Sequence, residues 1–257
     1  FTKIALVIFM AKYFHKLNVE KTIGLFKSIL PLIVSVIFFV LVAIQPDLGT
    51  AVIILALGLV VIFYAGIKLI YPLISIGIIL SISPILWTFL KPYQQNRIQI
   101  FLNPDLDPLG RGYHIIQSKI AIGSGGLKGN GFLEGSQSSL DFLPEKETDF
   151  VFAIFSEQFG FTGSILLISL FFIMFLIPVL KTFKLTQAFN KIILFVLSFK
   201  IFFEFLINIS MTIGILPVVG VALPFMSYGG SSLLSNLIIC ALLLNFMSIN
   251  EKKRMFS

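Results

Sequence analysis

Glu145, Glu147 and Asp149 close a polar, glycine-rich stretch running from about Pro92 to Thr148, and Phe150 directly after them opens a long apolar run. A carboxylate held at the edge of a nonpolar phase is partly desolvated, which raises its pKa and makes it a better base than an exposed one. Glu145 stands four residues before Asp149, and a like charge so near pushes one of the two pKa values upward. The chemistry on offer is proton transfer at a membrane surface. The competing reading of Asp149 is a helix-start acid that complements the positive end of the next helix dipole, a role worth about 0.3–1 kcal/mol. On a helix starting at Asp149, Ala153, Ser156 and Gly160 share its face, a small-residue groove with room for a lipid or a neighbouring helix.

These residues must be positioned by elements that live in a bilayer. The chain is 57% hydrophobic and 12% charged, with a mean hydropathy of +1.01, whereas soluble domains carry about 25% charged residues. An all-α, polytopic transmembrane helix bundle follows, read as one integral membrane domain over residues 1–257 with residues 92–148 as an extracytoplasmic loop inserted within it. Spans of about 20 apolar residues are expected at Ser28 to Ile44, Leu48 to Gly66, Leu69 to Leu90, Phe150 to Leu180, Ile192 to Ile215 and Ser232 to Ile249. Phe1 to Phe14 hold only part of another. With no initiator Met and no signal-peptide pattern, the chain is expected to be a fragment of a longer protein.

Orientation follows from the connections. Lys12, Lys16, Lys21 and Lys27, then Lys181, Lys184 and Lys191, then Lys252, Lys253 and Arg254 fall on one side, which the positive-inside rule makes cytoplasmic. The turn Gln45-Pro-Asp-Leu-Gly-Thr50 has no positive charge, and the long insert balances its cations with acids, so both face outward. Membrane topology thus accounts for the net charge of +7 without nucleic acid as a partner. The single Cys240 excludes a disulfide framework and a thiolate metal site. His15 and His114 lie outside any HExxH spacing and read as solvated loop residues.

Three further features interrupt the pattern. The run Gly123-Ser-Gly-Gly-Leu-Lys-Gly-Asn-Gly131 has Lys128 where a dinucleotide fingerprint needs its third glycine, and no GK[ST] follows. It reads either as a tight-turned loop over the membrane surface or as backbone N–H groups that, with Lys119 and Lys128, bind an anionic head group. Lys200 and Glu204 stand i, i+4 in an apolar run, where an unpaired charge costs about 2.5–3.5 kcal/mol, and read as a structural pair. Pro217, Pro224 and Gly229-Gly230 break the helical pattern between two spans. Backbone left unpaired at that depth must line a cavity or be buried in protein, and a cavity beside the long insert is expected.

Several strings together carry a resemblance: Gln45-Pro-Asp-Leu-Gly-Thr50, Asp107-Pro-Leu-Gly-Arg-Gly-Tyr-His-Ile-Ile-Gln-Ser-Lys119, Phe142-Leu-Pro-Glu145 with Thr148-Asp-Phe150, Gly214-Ile-Leu-Pro-Val-Val-Gly220 and Ser227-Tyr-Gly-Gly-Ser231. They resemble the SEDS family (shape, elongation, division and sporulation) along essentially the whole chain. Gly135-Ser-Gln-Ser138 leading into Phe142-Leu-Pro-Glu145, with Val218-Val219 after Pro217, is similar to the elongation branch rather than the division branch. The family's first helices, and a Gln-Pro-Ser-Glu motif just before Phe1, are absent from the sequence, and Lys3 matches the Lys that follows that motif. Glu147, Gln158 and Ala222 replace a common His, Glu and Pro.

The resemblance implies a peptidoglycan glycosyltransferase in the bacterial cytoplasmic (inner) membrane. It would polymerise lipid II, the undecaprenyl-diphosphate-linked disaccharide peptide, on the extracytoplasmic face for cell elongation and rod shape. Asp149 matches the carboxylate that the family treats as catalytic. A sugar hydroxyl must lose a proton as it attacks an anomeric carbon whose leaving group is a lipid diphosphate. Lys3, Arg97, Arg111 and Lys119, or a divalent cation (Mg or Mn), would stabilise the charge growing on that diphosphate. Asp47 is expected to help shape the substrate cavity or simply to cap the helix that follows it, and Glu145 to adjoin the substrate beside Asp149. A class B penicillin-binding protein transpeptidase and elongation-complex membrane proteins are the implied partners. A lipid II flippase, or a non-catalytic scaffold for that transpeptidase, would use the same surfaces without needing Asp149 as a base.

The orientation is testable directly: cysteines placed near Lys184 should be protected from impermeant thiol reagents in intact cells and those placed near Gly131 labelled, and the reverse pattern would overturn it.

Overall fold

The structure is a computed structural model that describes residues 1–17, 24–68, 70–71, 74, 77, 81–82, 87–88, 90–108, 110–135 and 147–255. Every regular element among them is helical: α1 Thr2–Lys16, α2 Leu25–Ile44, α3 Leu48–Tyr64, α4 Pro92–Leu102, a 3-10 turn Pro104–Leu106, α5 Arg111–Ser124, α6 Val151–Thr182, α7 Ala188–Thr212 and α8 Gly230–Met255. Four stretches are long and apolar enough to cross a membrane: Phe26–Ile44, Val151–Thr182, Ala188–Thr212 and Gly230–Ser248. The expected spans on α2, α6, α7 and α8 are therefore present, α3 forms a shorter apolar helix, and the span expected at Leu69 to Leu90 lies largely outside the described residues. The outer faces of α2 and α6 leave large apolar side chains uncovered, among them Ile37, Leu41, Leu166 and Leu170, as a bilayer solvent demands.

Two compact units divide the chain. The first gathers Phe1–Ser83, Ile173–Phe202 and Leu234–Ser257, the second Pro84–Phe172 and Phe203–Leu233. In the first, α1 and α2 both pack on α3. Val7, Met10, Ala11 and Phe14 of α1 and Ala51, Ile54, Leu57 and Val61 of α3 are buried at helical spacing. Gly58 lets α2 come close, since a Cβ there would overlap the Ser35 hydroxyl, which donates to the Pro31 carbonyl at 2.9 Å. Tyr64 stacks on Phe195 and Phe175 on Phe202, and the buried Lys200 donates to Asn236 Oδ1 of α8 at 2.6 Å. The ammonium thus has an amide partner on another helix that its i, i+4 spacing with Glu204 does not announce.

The second unit is built around a break in α6. Gly160 has φ 65° and ψ −163°, a backbone region essentially reserved for glycine. In an unbroken helix Phe161 N–H would bond Glu157 C=O and Thr162 N–H would bond Gln158 C=O. Here the glycine-rich loop supplies all four partners: Phe161 N–H donates to Gly126 C=O at 2.9 Å and Thr162 N–H to Leu127 C=O at 3.1 Å, while Asn130 N–H reaches Glu157 C=O at 3.0 Å and Gly131 N–H reaches Gln158 C=O at 3.2 Å. The loop can come this near because its glycines lack Cβ atoms. One on Gly125 would strike the Ser156 carbonyl, and one on Gly129 that of Gln158.

These contacts bear on two pairs of alternatives. The N–H groups of Gly125, Gly126, Gly129, Asn130 and Gly131 are spent on the carbonyls of Ala121, Gly123, Gly125, Glu157 and Gln158, which favours the tight-turned loop over an anion cradle built from those groups. The small-residue face at Ala153, Ser156 and Gly160, expected to admit a lipid or a neighbouring helix, takes a neighbouring helix, α5, and this loop: Ala121, Phe150 and Ala153 form one buried cluster.

Replacing Gly160 by Ala would force a β-carbon into the Lys128 and Gly129 backbone at a positive φ, and should destabilise the fold by about 1–3 kcal/mol or more, read as a lowered thermal midpoint in detergent; an unchanged midpoint would show that the break is not needed.

Candidate functional site

The described segment before α6 is Glu147-Thr148-Asp149, and three successive carbonyls in it are held by other parts of the second unit. Tyr228 N–H donates to Glu147 C=O at 2.8 Å, the Ser227 hydroxyl donates to Thr148 C=O, and Asn208 Nδ2 of α7 donates to Asp149 C=O at 3.0 Å. α6 itself starts two residues after Asp149, at Val151: Ala153 and Ile154 N–H groups both bond Phe150 C=O, and no acid lies in its first turn. Asp149 thus stands just ahead of the helix rather than inside its first turn.

Two of the three donors, Ser227 and Tyr228, belong to the non-helical stretch between α7 and α8, and the third, Asn208, to α7 itself. α7 stops at Thr212 because Gly214 turns at φ 77°, with Ile215 and Leu216 N–H groups both closing on Ser210 C=O. A second glycine turn follows at Gly220, φ 74°, and the Ser227 hydroxyl also accepts from Leu223 N–H at 2.7 Å. Val221 and Leu223 are buried, so this stretch, expected to line a cavity or be buried, is at least partly packed in protein. Asp149 is half-buried, and a Cβ on Gly220 would lie 3.6 Å from its Oδ2. The carboxylate therefore lies over a bare stretch of backbone.

α5 reaches the same stretch from the other side. Ser118 Oγ donates to Thr212 C=O at 2.7 Å, and Ile122 joins Val218 and Ile154 around the Ala121, Phe150 and Ala153 cluster. The exposed Lys119 on that helix runs its ammonium against Gly214, within 2.7 Å of where a Cβ would stand. A cation and a carboxylate thus flank one loop, at its Gly214 and Gly220 turns. His114, expected in a solvated loop, instead sits on α5 with its ring 6.2 Å from that of Phe150; α5 already begins at Arg111, where Gly110 and Tyr113 N–H groups both bond Asp107 C=O.

The other expected site residues are placed as follows. Arg97 is half-buried on α4. Arg111 opens α5, its side chain outside the described set, and Glu145 lies outside the described residues. Lys3, on α1, and Asp47 belong to the first unit. Asp47 caps α3, accepting Thr50 N–H at 3.0 Å. Among the described residues no three His, Cys, Asp or Glu side chains gather as a metal's ligands would. Sequence reasoning passed over Asn208, Ser227 and the fully buried Glu157, whose carboxylate a Cβ on Gly135 would strike. A lone Asn in an apolar run was the available signal for the first.

The all-helical fold with bilayer-length spans defines a multi-pass membrane protein, and its relatives narrow the class. A family model described as cell cycle protein, FtsW/RodA/SpoVE, matches residues 1–252. Peptidoglycan glycosyltransferase MrdB of Escherichia coli K12 is 44% identical over 220 residues, 84% of this chain and 58% of that protein. Peptidoglycan glycosyltransferase RodA of Treponema pallidum is 46% identical over 164 residues, 64% of this chain and 37% of that one. A solved peptidoglycan synthase complex, described for its structural coordination of polymerization and crosslinking, has a chain that superposes with TM-score 0.76 at 29% identity, covering 96% of this chain and 67% of its own. A mutant of rod shape determining protein RodA from Thermus thermophilus shares the fold, with TM-score 0.63 at 22% identity over 96% of this chain and 63% of its own. The chain belongs to the FtsW/RodA/SpoVE family, the SEDS family that its motifs resemble. It spans a little over half the length of the MrdB relatives it matches.

The cap on α3 gives a direct check of Asp47: Asp47→Asn should leave the thermal midpoint nearly unchanged and Asp47→Ala should cost about 1 kcal/mol, whereas equal losses in both would show that the charge itself is required.

Proposed function

We propose that this protein is a peptidoglycan glycosyltransferase that polymerises lipid II on the extracytoplasmic face of the cytoplasmic membrane, in the service of cell elongation. The observation that carries the reading is the carbonyl clamp: Glu147, Thr148 and Asp149 are fixed through their main chain. Catalysis rewards such preorganisation, since a base must meet its proton at hydrogen-bond distance. The names of the relatives supply the reaction class.

In the proposed reaction Asp149 takes the proton from the sugar hydroxyl of one lipid-linked disaccharide. The hydroxyl oxygen bonds to the anomeric carbon of a second molecule as the bond from that carbon to the diphosphate breaks, and undecaprenyl diphosphate leaves with the electron pair. Lys119, whose ammonium lies against the Gly214 end of the loop that Asp149 faces, is proposed to meet the charge that develops. Arg97, Arg111 and Lys3 are proposed as further cations for the diphosphate, and Asp47 and Glu145 as substrate-binding residues. Mg or Mn is proposed as a companion of the diphosphate, with no step assigned to it. The partner proposed is a class B penicillin-binding protein transpeptidase, by analogy with the synthase complex whose chain this one resembles.

Asp149→Asn, carried by a chain of the relatives' full length, should keep membrane abundance and partner binding and lose lipid II polymerisation. Retained polymerisation with a small stability loss would remove Asp149 as the base and leave it a helix-start acid; a loss of transport with no polymer formed by either protein would favour a flippase, and partner binding alone a scaffold.

A further inference from the structure

Asn208 lies fully buried four residues before the end of α7, in the second unit. Its amide nitrogen carries two protons, and both are used: Nδ2 donates to Asp149 C=O at 3.0 Å and to Val221 C=O at 2.7 Å. Those two acceptors are not arbitrary. One belongs to the residue that bears the carboxylate, and the other follows Gly220, the residue over which that carboxylate lies. One side chain therefore sets the spacing between Asp149 and the loop backbone it faces.

The other end of the amide sharpens the point. Asn208 Oδ1 is buried and meets no donor among the described residues, so the side chain is oriented by its donor end alone. A residue serving only to pack α7 would be better apolar, because an unpaired buried acceptor is destabilising. Ser227 acts from the other flank in the same manner, donating to Thr148 C=O while accepting Leu223 N–H. Serine and asparagine together tie the residues on either side of the Thr148–Asp149 peptide to one loop.

We propose that Asn208 is a positioning residue that holds Asp149 against the Gly220 turn, an inference that rests on the reading of Asp149 as the base. It has no contact with the reacting atoms and acts only through the main chain it fixes. Displacement of a catalytic group by about 1 Å can cost roughly a hundredfold in rate, and loss of both bonds at once frees that much movement.

The test measures lipid II polymerisation by Asn208→Leu, Asn208→Asp and Asn208→Gln, as rates per molecule of monodisperse, folded protein. Asn208→Asp nearly matches the native volume and Asn208→Leu keeps the branching with bulkier methyl groups, and both remove the two donors; Asn208→Gln keeps the amide. The expected result is kcat lowered about 10- to 100-fold in the first two, with KM for lipid II within about twofold of the parent and a partial recovery of kcat in Asn208→Gln. Parental kcat in the folded fraction of Asn208→Asp, or a raised KM at parental kcat, would overturn the proposal by reducing Asn208 to packing or to substrate binding. If Asn208→Leu yields no folded protein, Asn208→Asp decides on the same criterion. Failure of the underlying reading looks different: Asp149→Asn would itself retain activity, whatever the Asn208 variants do.

Discussion

A bilayer offers no water to a broken helix, so every interruption of these apolar helices obliges another segment to supply hydrogen-bond partners. The second unit satisfies that constraint twice. At Gly160 the loop from Gly126 to Gly131 takes over the four main-chain groups that the break in α6 releases. Between α7 and α8 the non-helical stretch closes on itself and on the segment ahead of α6, taking the carbonyls of Glu147 and Thr148, while Asn208 near the end of α7 takes that of Asp149. Both devices act on the first third of α6 and the segment just before it. The residues on which chemistry is proposed are therefore held by the same bonds that make irregular backbone tolerable there.

This economy explains why so many of the motif residues are small or turn-forming. Gly125, Gly129 and Gly160 permit one backbone to approach another, and Gly214 and Gly220 make the turns past which Lys119 and Asp149 lie. Polar side chains buried nearby, Ser118, Ser156, Ser164 and Asn208, close backbone carbonyls or one another rather than reaching for solvent. The proposed base and the proposed cation thus sit on a rigid support while remaining at least partly uncovered themselves.

Much of this was legible in the sequence, and the remainder was hidden for physical reasons. Apolar length gave α2, α6, α7 and α8, because a bilayer-length run of Leu, Ile, Val and Phe has few other uses. The interruption between α7 and α8 was legible from Pro217, Pro224 and Gly229-Gly230, residues that do not continue a helix. The break at Gly160 was not, since a single glycine in an apolar run is usually tolerated inside a helix, and only the loop from Gly123 to Gly131, well upstream in the chain, explains it. Asp149 announced itself by charge. Asn208 and Ser227 did not, because what they do depends on which carbonyls come near them, and those lie 59 and 79 residues away along the chain.

The central claim is that this clamped carboxylate site belongs to a polymerase rather than to a transporter or a scaffold. The most direct measurement incubates purified protein, at the relatives' full length and without a partner transpeptidase or any other glycosyltransferase, with purified lipid II and resolves the products by size. The account predicts glycan strands longer than the starting disaccharide together with released undecaprenyl diphosphate. Lipid II recovered unchanged, under conditions in which the same preparation moves it across proteoliposome membranes, would contradict it.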